Sequence, residues 1–383
     1  MTSTHPSHTS TPSAGSHTPT PSAKFHWFLP TSGDSRSIVG SSHASSQQSV
    51  PDGYRPPTRR YLAEIARAAD RLGFKGVLTP TGTWCEDAWL TASALLAETE
   101  RLKFLVAFRP GLVPPTLAAQ QAATLQRFSE GRVLLNIVTG GDDLEQRRFG
   151  DWLDHDQRYA RTGEFLHLVR SIWRGEPVDF TGEHYRVADA RVSTPPDPLP
   201  RIYFGGSSPA ALPIAAEYVD TYLTWGEPPS DAAAKITRVR DLAAERGREI
   251  RFGIRLHTIS RDTSEAAWAV AHQLVAELDP EHVAKQTALH AKSQSEGQRR
   301  MTALHGGKLD QLEIYPNLWA GVGLVRGGAG TALVGSHQEV ADLIYEYHSV
   351  GFDEFILSGY PHLEEAYWFA EGVLPLLRHK GVA

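Results

Sequence analysis

The chain is poor in sulfur: its 383 residues include one cysteine, Cys85, and two methionines. A single cysteine excludes an intrachain disulfide and any cysteine-based zinc site, and a reducing, cytoplasmic setting is the default expectation. Long apolar runs are missing as well. No segment has the length to span a bilayer, and the first residues lack the apolar stretch of a secretory signal, so no membrane partner is expected. An excess of positive charge is also absent. Lys and Arg number 38 against 44 Asp and Glu, a net charge of −6, which leaves no electrostatic footprint for nucleic acid. No pair of histidines stands at ligand spacing beside a carboxylate, and no metal is expected. A dinucleotide fingerprint is missing too: no such string follows the first apolar run, and after Gly321 and Gly323 the place of a third glycine falls to Arg326.

What is present reads as a barrel. Residues 1–23 are almost wholly Ser, Thr, Pro, His, Gly and Ala, which bury too little apolar surface to fold; they are read as a disordered tail whose His5, His8 and His17 are passengers. Another polar stretch, 35–57, reads as a long loop. Residues 24–383 are read as one domain. There, short runs rich in Val, Ile, Leu and Phe at 25–30, 76–79, 103–108, 133–139, 202–205, 221–225, 250–259 and 354–358 alternate with segments of helical period at 61–72, 87–98, 116–128, 157–173, 209–218, 232–246, 264–277 and 339–350. This repetition predicts a (β/α)8 TIM barrel, with the excess length in insertions at about 176–200, a hairpin, and 280–331, polar and then glycine-rich. The competing architecture is an open doubly wound sheet.

Polar residues at strand ends then carry the chemistry. In RFGIRLHTI, strand alternation sets Arg251, Gly253, Arg255 and His257 on one face. A buried guanidinium needs an anion, so Arg255 predicts an anion site, with His257 flanking the same ligand. The segment GVGLVRGGAGTALVG, 321–335, carries a single charge, Arg326, amid glycine and small apolar residues; it reads as a mobile lid that brings a permanent cation to that anion. Trp225 and Tyr360, also at strand ends, suit a pocket for a partly apolar ligand or a flat ring. Cys85 sits at the entrance to the second helix, where a thiol is acidified, though no Cys/His/Asn set surrounds it. FGGSSP offers Gly206, Ser207 and Ser208 at the start of a helix, a place for a phosphate; the alternative is a tight turn with Ser208 as cap. NIVTGGD adds Asn136 and Thr139, followed by His155 and Tyr159 near a helix start.

Taken in order, TPTGTWCEDAWL, RLKFLVAFRPG, NIVTGGD, IYFGGSSP, LTWGEPP, IRFGIRLH, NLWAGVGLVRGGAGTALVG and LSGYPHLEEA closely resemble segments of the alkanesulfonate monooxygenases, reduced-flavin enzymes of the bacterial luciferase-like superfamily. The resemblance runs from about Phe25 to the end. It implies a barrel that uses reduced FMN and O2 to cleave the carbon–sulfur bond of alkanesulfonates, giving an aldehyde and sulfite for sulfur acquisition. It implies site residues Cys85, Trp225, Arg255, His257, Arg326, Tyr360 and His362, and an FMN phosphate at Ser207 and Ser208 with Tyr159 nearby. A separate NAD(P)H-dependent FMN reductase is the implied partner in a two-component system, and a homodimer or homotetramer is expected. One departure stands out: in FLPTSGD, Ser32 takes the place of the family's histidine, and the loop at 35–49 also differs. Among possible proton acceptors, His257 is better matched than an arginine with a pKa above about 12, and Arg255 is assigned to charge stabilisation. The rival readings are a methanesulfonate or other sulfur-compound monooxygenase, a deazaflavin-dependent oxidoreductase on the same barrel, and a non-catalytic flavin-binding protein.

Overall fold

Eight short strands, Lys24–Phe28, Gly76–Thr79, Lys103–Phe108, Val133–Ile137, Arg201–Phe204, Thr221–Trp225, Arg251–Arg261 and Glu354–Ser358, form in the computed structural model, which describes residues 22–39 and 53–383. Most of the expected tail and of the 35–57 loop lies outside the described residues. Each strand pairs in parallel with the next, and the ring closes where Phe25 meets Phe355 and Tyr222 meets Phe252. This is the predicted (β/α)8 barrel. Strand alternation sorts the side chains. Trp27, Val77, Phe104, Ile202 and Ile254 point outward into the layer beneath the helices, while Phe28, Leu78, Leu105, Leu134, Tyr203 and Ile356 fill the interior. Capping boxes at Asp154 and Ser336 start the helices His155–Ile172 and His337–Ser349. Among the described residues, no helix is long and apolar enough to cross a membrane.

The hairpin expected at 176–200 is present as Val178–Thr181 paired antiparallel with Arg186–Ala190. The later insertion differs from its reading as a plain polar stretch. It folds into the helices Pro280–Ala291 and Glu296–His305, whose starts are fixed by the side chains of Asp279 and Ser295.

The glycine-rich segment is partly regular. Expected as one mobile lid, it ends in a fixed strand, Ala332–Ser336, which pairs with the projecting half of the seventh barrel strand from His257 to Arg261. That strand is eleven residues long, and its free edge takes a partner because unpaired buried backbone groups are costly. Close packing requires glycine at one point: a Cβ on Gly330 would lie 2.6 Å from Gly323 Cα. Only 325–331 remains outside helix and strand, folded down with Arg326 buried.

At the opposite end of the barrel, the buried Glu354 carboxylate accepts from Tyr203 Oη at 2.6 Å, lies 3.1 Å from His26 Nε2 and is 3.4 Å from Lys24 Nζ. Burial alone would raise its pKa. The His26, Tyr203 and Lys24 contacts outweigh that and hold it at about 2, against an ordinary 4.5. A depressed carboxyl pKa contributes stability that is fully present above the unfolded value and is lost as pH falls toward the folded one. Glu354→Gln is therefore expected to cost about 2 kcal/mol at pH 7 by urea unfolding. The difference from wild type should shrink between pH 4.5 and 2.

Candidate active site

The seventh strand runs on past the barrel wall, and the side chains of its inner face come to lie at the C-terminal end, where the sequence placed the chemistry. Arg255 and Arg326 are both buried there, at 7% and 4% exposure. Neither makes an ion pair with a carboxylate among the described residues. Arg255 Nη1 donates to the carbonyl of Leu256 at 3.1 Å and to Ser358 Oγ at 2.8 Å. Arg326 Nη1 donates to the Tyr360 hydroxyl, and its Nε has no partner. Both guanidinium groups rest over one ring, that of Phe28, with Cζ at 4.4 Å and 5.4 Å from its centroid. Burial, and then the positive charge of Arg326, brings the Arg255 pKa down to about 9.

His257 lies between them, stacked on Tyr360 at 5.4 Å. Burial and the two guanidinium charges push its pKa well below the ordinary value, so the ring is neutral. Its Nε2 is 3.0 Å from the carbonyl oxygen of Ala329, which can only accept, and 3.3 Å from Arg326 Nη1, which can only donate; the shorter contact assigns the proton to Nε2. Nδ1 then accepts from Ser358 Oγ at 2.8 Å. The result is a directed chain from Arg255 through Ser358 to His257 and on to Ala329. Both ring nitrogens of His257 are occupied, which argues against His257 as the proton acceptor, a role the sequence leaves open.

His362 is placed differently. Its Nδ1 is 2.8 Å from Asp34 Oδ1, and its backbone N–H donates to Asp34 Oδ2 at 2.9 Å. Asp34 also accepts from Tyr61 Oη at 2.5 Å. Burial opposes the charge on Asp34, but the His362 and Tyr61 contacts prevail and lower its pKa. Burial also lowers the pKa of His362, against the pull of Asp34. A neutral ring beside an ionised carboxylate has its proton on Nδ1, and Nε2 keeps a buried lone pair with no partner. Asp34 stands in the FLPTSGD string, but a lone aspartate in a loop gives no sign that it will meet a histidine 328 residues away.

Most of the residues predicted to hold a cofactor gather in a neighbouring cleft. Thr139, His155, Tyr159, Gly206, Ser207 and Ser208 line it, and so does Trp225, which faces Gly297. The Ser208 and Thr139 hydroxyls are buried beside the Tyr159 phenol, whose pKa burial raises and contact with those two hydroxyls lowers. Ser208 is not a helix cap: the helix Ala211–Tyr218 begins later and is capped by no side chain. Gly206 is needed for space, since a Cβ there would lie 3.0 Å from Tyr159 Oη. Lys235, absent from the sequence reading, supplies a cation. It is nearly buried, pairs with Glu227 and sits 3.0 Å from Thr224 Oγ1. Buried hydroxyls, a glycine backbone and a lysine fit a phosphate.

Two predicted residues fall outside both groups. Asn136 occupies the inner face of the fourth strand, opposite Ala107 and Tyr203, and does not line the cleft. Cys85 precedes its helix, Ala88–Leu95, which Asp87 caps, so the thiol gains nothing from the helix terminus. Burial pushes its pKa up to about 12, and it lies 3.7 Å from the carbonyl of Pro80 and 3.6 Å from that of Gly82. It is a thiol, not a thiolate nucleophile.

Three solved structures share this architecture. EDTA monooxygenase (EmoA) from Chelativorans sp. BNC1 is 18% identical with a TM-score of 0.73, over 95% of each chain. DmoA from Hyphomicrobium sulfonivorans is 21% identical with a TM-score of 0.75, over 95% of this chain and 89% of that one. A riboflavin lyase (RcaE), solved with a modified FMN and riboflavin, is 22% identical with a TM-score of 0.77, over 95% and 93% of the two chains. Identities this low speak to the fold. Residues 24–354 match the luciferase-like monooxygenase family, and the chain belongs to that family.

Proposed function

We propose that this luciferase-like monooxygenase cleaves the carbon–sulfur bond of alkanesulfonates with reduced FMN and O2, releasing an aldehyde and sulfite. One observation carries the reading: two buried guanidinium groups, Arg255 and Arg326, share the face of Phe28 and have no carboxylate among the described residues. A sulfonate is an anion at every physiological pH and offers three acceptor oxygens, which match the donors these arginines leave unused. A neutral substrate would leave that charge unpaired.

The chain's residues divide the work. Thr139, Tyr159, Gly206, Ser207, Ser208 and Lys235 would hold the cofactor's phosphate. Reduced FMN, when bound, supplies the electrons that activate O2. Arg255 and Arg326 bind and orient the sulfonate, and Tyr360 and Ser358 fix the two guanidinium groups. The proton lost from the carbon next to sulfur goes to His362 Nε2, because Asp34 holds the opposite nitrogen and the lone pair is free. The Arg326 segment, packed down, excludes water. With no dinucleotide fingerprint in the sequence, reduced flavin comes from a separate NAD(P)H-dependent FMN reductase.

The test supplies reduced FMN, O2 and sulfonates of increasing chain length and measures sulfite; a preference for the one-carbon substrate would favour the methanesulfonate reading. Arg326→Ala should lower sulfite release by about 10²-fold or more, with FMN affinity changed by less than about twofold. Turnover that survives this substitution defeats the reading. Asp34→Asn should lower kcat by about 10²-fold and leave the KM for sulfonate nearly unchanged, since it removes the charge that holds His362 in its tautomer. The lowered Arg255 pKa gives a pH dependence. The cation is present below about 9 and lost above it, so kcat/KM for a sulfonate should fall as pH rises through that value, while FMN affinity stays flat.

A further inference from the structure

The segment that carries Arg326 is held at Arg326 by Tyr360 and at Thr331 by Gly226 and His257. Gly323 N–H bonds across it to the carbonyl of Gly330 at 2.9 Å, and Ala329 accepts from His257. From the insertion, Gln298 Oε1 accepts from Gly328 N–H at 2.8 Å, two residues from Arg326. Gln298 is itself buried, at 7% exposure, and belongs to the helix Glu296–His305. The first turn of that helix is part of the phosphate-shaped cleft: Ser295, Glu296 and Gly297 line it, and a Cβ on Gly297 would lie 3.1 Å from the Trp225 ring. At its far end, His305 lies 3.3 Å from where a Cβ on Gly323 would be. One short helix therefore meets both the cleft and the arginine segment within its first turn, and Gly323 at its far end.

We propose that Gln298 is a positioning residue: its side-chain carbonyl holds the 325–331 segment in the buried position, and through its helix it couples the placement of Arg326 to occupancy of the Ser207–Ser208 cleft. The coupling half rests on the reading of that cleft as the FMN phosphate site; the holding half does not. A half-buried N–H left without its acceptor opens the segment more often. Nothing else need move.

The test is limited trypsin digestion of the full chain, following cleavage after Arg326 by mass spectrometry, without substrate or turnover. Gln298→Met keeps the volume and removes the acceptor; Gln298→Glu keeps an acceptor. Cleavage at Arg326 should be about tenfold faster in Gln298→Met than in wild type and near wild type in Gln298→Glu, with unchanged thermal midpoints. Equal rates in all three proteins, or equal acceleration in both variants, overturn the holding role. Added FMN should slow cleavage in wild type and in Gln298→Glu, but not in Gln298→Met. Equal protection of all three proteins, or none despite FMN binding seen by fluorescence quenching, overturns the coupling. Failure of wild type to bind FMN overturns the cofactor reading and the coupling together, while the tryptic rates without FMN still decide the holding role.

Discussion

Two like charges packed against one aromatic ring are the feature around which the rest of this site is arranged. Taking a guanidinium out of water costs several kcal/mol even after relaxation, and here a second one beside it deepens the cost. The neighbours offset only part of this. Arg255 finds a backbone carbonyl and a serine hydroxyl, Arg326 finds a phenol and leaves its Nε unpartnered, and Phe28 offers the negative face of its ring to both. Such an arrangement persists only where the surroundings over-determine it. The barrel does that: Arg255 rises from a strand paired on both edges, and Arg326 is bracketed by Leu324 and Val325, both buried.

The length of the seventh strand is the structural cause. A barrel strand that stopped at Arg255 would offer no edge for Ala332–Ser336 to pair with, and the Arg326 segment would have no fixed exit. Because the strand continues to Arg261, His257 bonds both neighbours: its backbone N–H donates to the carbonyl of Thr331, and its ring meets Ala329. The placement of Arg326 thus follows from strand pairing, and its chemistry follows from the lack of an ion-paired acid among the described residues. Backbone hydrogen bonds set the geometry and the missing carboxylate sets the charge.

The barrel was legible because strand and helix periods alternate strongly, and because alternation within RFGIRLHTI correctly turned Arg255 and His257 inward. Phe204–Pro209 was legible for a local reason, glycine and serine just past a strand. What sequence could not convey was partnership across long separations. Asp34 meets His362, Ser358 meets His257, and Gln298 meets Gly328, and none of these pairs has a spacing that announces it. The glycines of 321–330 admit two readings. Glycine is required both where a chain moves and where two backbones touch, and the contact between Gly323 and Gly330 belongs to the second kind.

The same physics bears on how the site responds to ligands. An enzyme that keeps uncompensated cations buried stores free energy that an anion can release, so a sulfonate that binds there gains the attraction and also removes a repulsion present beforehand. Binding would raise the depressed Arg255 pKa, since the anion's charge offsets that of Arg326 and favours the protonated guanidinium against its burial. A ligand that strengthens its own binding groups in this way discriminates steeply against neutral molecules of the same shape, because those meet the desolvated charges without compensating them. Selectivity for an anionic head group needs no further contact, and the rest of the pocket is left to read the remainder of the substrate.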